Sequence, residues 1–93
     1  MRNLVEFAEE LAAVVDPITD DEGRRSHRIS FDCGEPMSVI QMAVGSAAIN
    51  HFPIPDRLLD EAWYWGIELN GVRPRAQAKF RQWIAELRTL ASP

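Results

Sequence analysis

Met37-Ser38-Val39-Ile40-Gln41-Met42-Ala43-Val44-Gly45-Ser46-Ala47-Ala48-Ile49-Asn50 is a run of fourteen residues without a formal charge, in a chain of which 26% is charged. It follows Asp32-Cys33-Gly34-Glu35-Pro36, which reads as a helix start, and precedes His51-Phe52-Pro53, which reads as a stop. Asp32 suits the cap and Glu35 the first turn. Pro36 is tolerated there because first-turn amides lack intrahelical partners. A helix that is apolar or small on most of its circumference must be covered on several sides. The run therefore predicts an all-α fold, a compact bundle of four helices around a central apolar helix at about 35–50. Gly45-Ser46-Ala47-Ala48 adds a small-residue surface on which a neighbour can lie close. Gly45 costs about 1 kcal/mol relative to alanine inside a helix, so a packing reason is expected.

Upstream, Leu4, Phe7, Ala8, Leu11 and Val15 recur at helical spacing opposite Glu6, Glu9 and Glu10. That predicts a first helix over about 2–15, stopped by Asp16-Pro17. Thr19-Asp20-Asp21-Glu22 has the form of a capping box, but Gly23 and Ser26 are poor helix formers. Arg28-Ile29-Ser30-Phe31 alternates as a strand does. One helical turn followed by a short extended segment near 28–31 is the expectation. Downstream, the rigid connector Phe52-Pro53-Ile54-Pro55 leads to a helix over Asp56–Asn70. Its buried stripe is Leu58, Leu59, Ala62, Trp63, Gly66 and Leu69, and Asn70-Gly71 supplies a left-handed stop. Arg73-Pro74 opens the last helix, with Ala76, Phe80, Trp83, Ile84, Leu87 and Leu90 on one face.

The 93 residues predict one domain, residues 1–93, and 46% hydrophobic content with three tryptophans fits a folded core. A single cysteine, Cys33, excludes an internal disulfide and suits a reducing, cytoplasmic setting. The N-terminus does not read as a signal peptide. The uncharged run also falls short of the roughly 20 residues a membrane span needs. Net charge is −4, distributed as −8 over residues 1–72 and +4 over residues 73–93. Phosphate contacts need a basic footprint, so an acidic body argues against general nucleic-acid binding.

No reaction is announced. His27, Asp32, Cys33, His51 and Asp56 surround the ends of the central helix, but no pair has ligand spacing, so no metal and no cofactor is expected. His27 reads as solvated and His51 as part of a helix stop. Cys33 lacks a placed base and reads as a small buried residue. No catalytic residues are assigned, and the chain reads as a non-enzyme. Binding is the better expectation. Asp60, Glu61, Tyr64 and Glu68 lie opposite the buried stripe of the third helix, with Asp60, Tyr64 and Glu68 at i, i+4 and i+8 and Trp65 on the margin. Tyrosine supplies apolar contact and a hydrogen bond, while carboxylates steer a cationic partner. The plain alternative is a solvated face on which Arg57 pairs with Glu61. A second acidic group, Asp20, Asp21 and Glu22 beside Asp16, is a further candidate, partly explained by capping. Arg73 and Arg75 sit at a helix N-terminus, where the macrodipole disfavours positive charge. Their offset is sought in acidic flanks of neighbouring helices, which Arg75, Lys79 and Arg81 would face.

Phe31-Asp32-Cys33-Gly34-Glu35-Pro36, followed by Val39, Ile40, Ala43, Ala47 and then Ile54-Pro55, resembles a family of small all-helical bacterial immunity proteins. These are the antidotes of polymorphic and contact-dependent growth inhibition toxins, including the Maf-type systems. The match covers about residues 31–70, and Trp63-Tyr64-Trp65 departs from it. The resemblance implies a non-catalytic protein that binds and neutralises a cognate toxin domain inside the producing cell. Charge complementarity adds that an acidic protein suits a basic toxin surface, of the kind common around the active sites of nucleases. The rival is a small nucleic-acid-binding or antitoxin-like regulatory module that uses Arg75, Lys79, Gln82 and Arg88. A homodimer through Trp65, Phe52 and Ile67 is a third reading.

Overall fold

A computed structural model of the chain describes residues 2–91, and among these every regular element is helical, with no strand. There are five α-helices: α1 (Leu4–Val14), α2 (Asp21–Asp32), α3 (Pro36–Ile49), α4 (Asp56–Trp63) and α5 (Pro74–Ala91). A 3-10 turn at Asp16–Ile18 follows α1, and a π-helical turn at Tyr64–Glu68 continues α4.

Local chemistry sets these limits. Asn3 caps α1 with a full capping box: its Oδ1 accepts from the Glu6 amide at 2.9 Å, and Glu6 Oε1 accepts from the Asn3 amide at 3.3 Å. α1 buries Phe7, Ala8 and Leu11. α2 replaces the extended segment expected near 28–31. Asp20, not Thr19, is its cap, accepting from the Gly23 amide at 2.8 Å, while the Thr19 hydroxyl donates to the Val15 carbonyl at 2.6 Å. The reason α2 forms lies in a stripe that alternation disguises. Gly23, Ser26, His27, Ser30 and Phe31 fall on one helical face, and all five are half-buried while the rest of α2 is exposed. Asp32 is consequently the last residue of α2 and does not cap α3. Glu35 stands at the cap position without a side-chain bond, and Pro36 opens the helix as expected.

α3 buries Val39, Ile40, Ala43, Val44, Gly45, Ala47 and Ala48 and packs against α1, α2 and α5. His51, at φ 53°, turns the chain out of it. α4 packs chiefly on α5. At the end of α4 the amide of Leu69 bonds the carbonyl of Tyr64 at 3.0 Å, five residues back. That wider turn moves Ile67 into the core and leaves Leu69 exposed, reversing the expected stripe at its last position. Asn70, at φ 55°, is the left-handed residue rather than Gly71. Gly71 is required for another reason: a Cβ there would stand 2.5 Å from the Trp65 carbonyl oxygen. One core joins all of this, with Phe7, Leu11, Ile40, Leu58, Leu59, Phe80, Ile84 and Leu87 essentially solvent-free. No buried polar or charged residue occurs among the described ones.

Candidate functional site

The α4 face is organised by arginines. Arg2 donates to both Glu61 oxygens, at 3.1 and 2.9 Å, and also to Glu10. Arg57 donates to the other Glu10 oxygen at 2.9 Å, correcting the expected Arg57–Glu61 pair. Arg88 reaches back from α5 to Asp60 at 2.8 Å and to Asp56 at 3.7 Å. Bidentate guanidinium–carboxylate geometry is what makes such pairs directional. Glu61 and then Glu10 hold the Arg2 guanidinium above its ordinary basicity. Arg2 and then Arg57 hold the Glu10 carboxyl below the usual range.

Tyr64 shares a shallow depression of about 390 Å³ with Arg2, Arg57, Asp60 and Glu61. Three of the expected partner-binding residues, Asp60, Glu61 and Tyr64, are thus brought together. Glu68 is exposed but does not line this depression. The i, i+4, i+8 row presupposes 3.6 residues per turn, and the π turn breaks it after Tyr64. Trp65 points inward instead of standing on the margin. It packs against the core, meets Tyr64 edge to face at 5.3 Å between centroids, and has a buried indole N–H without a partner among the described residues. Phe52 and Ile67, named with Trp65 as a dimer surface, are likewise drawn into the core.

Asp20, Asp21 and Glu22 lie elsewhere, at the start of α2. Asp20 is spent on capping, and Asp21 pairs with Arg24 at 3.3 Å. Arg24 also pairs with Asp16 at 2.9 Å, which raises its basicity. Asp20 and Glu22 line a groove of about 500 Å³ between α2 and α3, together with His27, Met42, Ser46 and Asn50. His27 is half-buried there, not solvated. Burial pushes its pKa down, against a smaller opposing effect of Asp16. Cys33 is exposed at the end of α2, not buried.

On α5, Arg81 lies over the Trp63 ring at 5.0 Å and Lys79 over the Trp83 ring at 6.0 Å. Among the described residues neither makes an ion pair with an acidic flank, and each cation rests on an aromatic face instead. Gln82 donates to Glu86 at 3.0 Å. Among the described residues no group of three or more His, Cys, Asp or Glu is placed to hold a metal ion. No helix among them is long and apolar enough to cross a membrane.

Comparison with protein-family models, curated proteins and solved structures yields no match.

The arginine network escaped sequence reading because it joins positions 59 residues apart. The only local signal was Arg2 itself, a cation ahead of an acidic helix.

Proposed function

We propose that the chain is a non-catalytic binding protein of the immunity type, capturing a basic bacterial toxin domain in the cytoplasm of the producing cell. The observation that carries this reading is the rim around Tyr64. Four carboxylates, Glu10, Asp56, Asp60 and Glu61, are held there by three arginines, Arg2, Arg57 and Arg88. The four carboxylates outnumber the three arginines by one, and Glu68 is exposed outside the depression. A charged surface fixed before the partner arrives loses less side-chain entropy on binding. A half-buried tyrosine beside it is a typical anchor. The surplus negative charge steers a cationic partner and speeds encounter, which suits a protein that must intercept a toxin before it acts.

The nucleic-acid reading draws less support from the same geometry. Of its four residues, Gln82 is engaged with Glu86 and Arg88 with Asp56 and Asp60, while Phe80, Ile84 and Leu87 commit α5 to the core. A test isolates the basic protein domain that the chain captures from its host and measures its binding to Tyr64→Ala and Glu68→Lys. Weaker binding with unchanged melting supports the reading. Wild-type affinity in both variants removes the face from the interface.

A further inference from the structure

Among the five described α-helices, α2 alone buries no residue completely. The solvent-free core is assembled from the other elements, and Phe31 is the only apolar side chain of α2 packed against it. No hydrogen bond or ion pair among the described residues joins α2 to α1, α3, α4 or α5. Arg24 reaches only its neighbour Asp21 and Asp16, in the turn that leads into the helix. The Arg24–Asp16 pair is exposed, so it is a weak latch. Extended backbone at Thr19 and Asp20 precedes α2, and Gly34, at φ 70° with open space beside it, follows.

Depressions undercut α2 on both sides. One of about 500 Å³ lies between it and α3, and one of about 560 Å³ between it and α1. His27 is the single residue that lines both. The charged groups beside it are Asp20 and Glu22 on the α3 side, and Asp16, Arg24 and Arg28 on the α1 side. Neither α3 nor α1 contributes a charge to these spaces. Burial disfavours the charged imidazole more than Asp16 favours it. A ring returned to water takes up the proton without that cost.

We infer that α2 is an acid-sensitive flap: it opens as a unit about Thr19 and Gly34 while the other four helices stay folded, and protonation of His27 favours the open form. A helix of 12 residues is marginal by itself in water, so opening is local unfolding rather than a rigid swing. It uncovers the α1–α3 surface around Val15 and Ala43, which solvent does not reach in the closed form. Segments with few buried apolar groups are the ones that open below the global unfolding free energy. The inference does not rest on the Tyr64 reading, since α2 contributes nothing to that depression.

Amide hydrogen exchange of the full chain, followed by NMR and corrected for the chemical exchange rate, tests this. At pH 7 the amides of α2 are expected to be about tenfold or more less protected than those of α3 and α5. Ala85→Gly, at an exposed position of α5, should speed exchange in α1, α3 and α5 by about fivefold through lost helix propensity. It should leave α2 unchanged, because the open flap still contains a folded α5. Arg25→Gly, at an exposed position of α2, should speed α2 and the slowest core amides together, since α2 is lost in both open states. Between pH 7 and 5 the opening of α2 should rise by about threefold or more in wild type and stay level in His27→Gln. Exchange of α2 at the rate of the slowest core amides, or an equal response of α2 to Ala85→Gly, would overturn the flap. Opening that acid leaves unchanged in wild type, or raises equally in His27→Gln, would overturn the role of His27.

Discussion

Gly45 faces Trp83 so closely that a Cβ on it would stand 2.9 Å from two carbons of the indole ring. Gly66 is tighter still, its added Cβ lying 2.6 Å from the Phe80 ring and 3.1 Å from Val72. Alanine at Gly45 would gain about 1 kcal/mol of helix propensity. Overpacking costs about 1–3 kcal/mol, depending on whether the neighbour can yield. Trp83 is half-buried, whereas Phe80 and Val72 are both buried and have less room to yield. Gly45→Ala is therefore expected to be mildly destabilising, within about 1 kcal/mol, and Gly66→Ala to cost about 2 kcal/mol or more. Urea midpoints at constant slope check the order. The reverse ranking would mean that the α4–α5 contact is looser than described.

Trp65 yields a prediction of the opposite kind. Its indole N–H is buried without a partner among the described residues, which costs about 1–3 kcal/mol. Phenylalanine keeps the ring against Tyr64 and deletes the donor. Trp65→Phe should leave the melting temperature unchanged or raise it. A loss of several degrees would show that the N–H has a partner after all.

Acid should weaken the fold through two groups. The Glu10 carboxyl lies below the usual range because of Arg2 and then Arg57, so its contribution is present above about pH 4.3 and is lost as pH falls through the folded value. Burial keeps His27 below its ordinary value of about 6.5. As pH drops under that value the unfolded chain takes up the proton first, and stability falls. His27→Gln should flatten the decline over the interval that begins at about pH 6.5 and leave the loss at lower pH due to Glu10 in place. Stability curves for wild type and variant that run parallel across that interval would contradict the placement of His27.

The helices most readable in the sequence are those whose apolar period is unbroken. Leu4, Phe7, Leu11 and Val15 mark α1, and Phe80, Ile84 and Leu87 mark α5, because large apolar side chains must all reach one core. α2 was hidden because its inward stripe is Gly23, Ser26, His27, Ser30 and Phe31, small or polar groups that half-bury without a hydrophobic signal. The π turn left no trace either. The wider turn, in which the Leu69 amide bonds the Tyr64 carbonyl, is what brings Ile67 rather than Leu69 inward. Of the candidate site, Asp60, Glu61 and Tyr64 were legible as one helical face. Their arginine partners were not, since Arg2 and Arg88 come from opposite ends of the chain. The uncharged run at α3 correctly implied burial, but it did not show that Met42 and Ser46 are only half-buried and Ile49 is exposed, since an uncharged residue suits either place.

The most direct test of the proposed binding is the association rate of this chain with a basic toxin domain that it captures from its host, measured at low and high salt. The account predicts a rate that falls steeply as salt rises and a dissociation rate that increases about tenfold or more in Tyr64→Ala, a change of about 1.4 kcal/mol. A salt-independent association rate, with Tyr64→Ala dissociating as slowly as wild type, would contradict it.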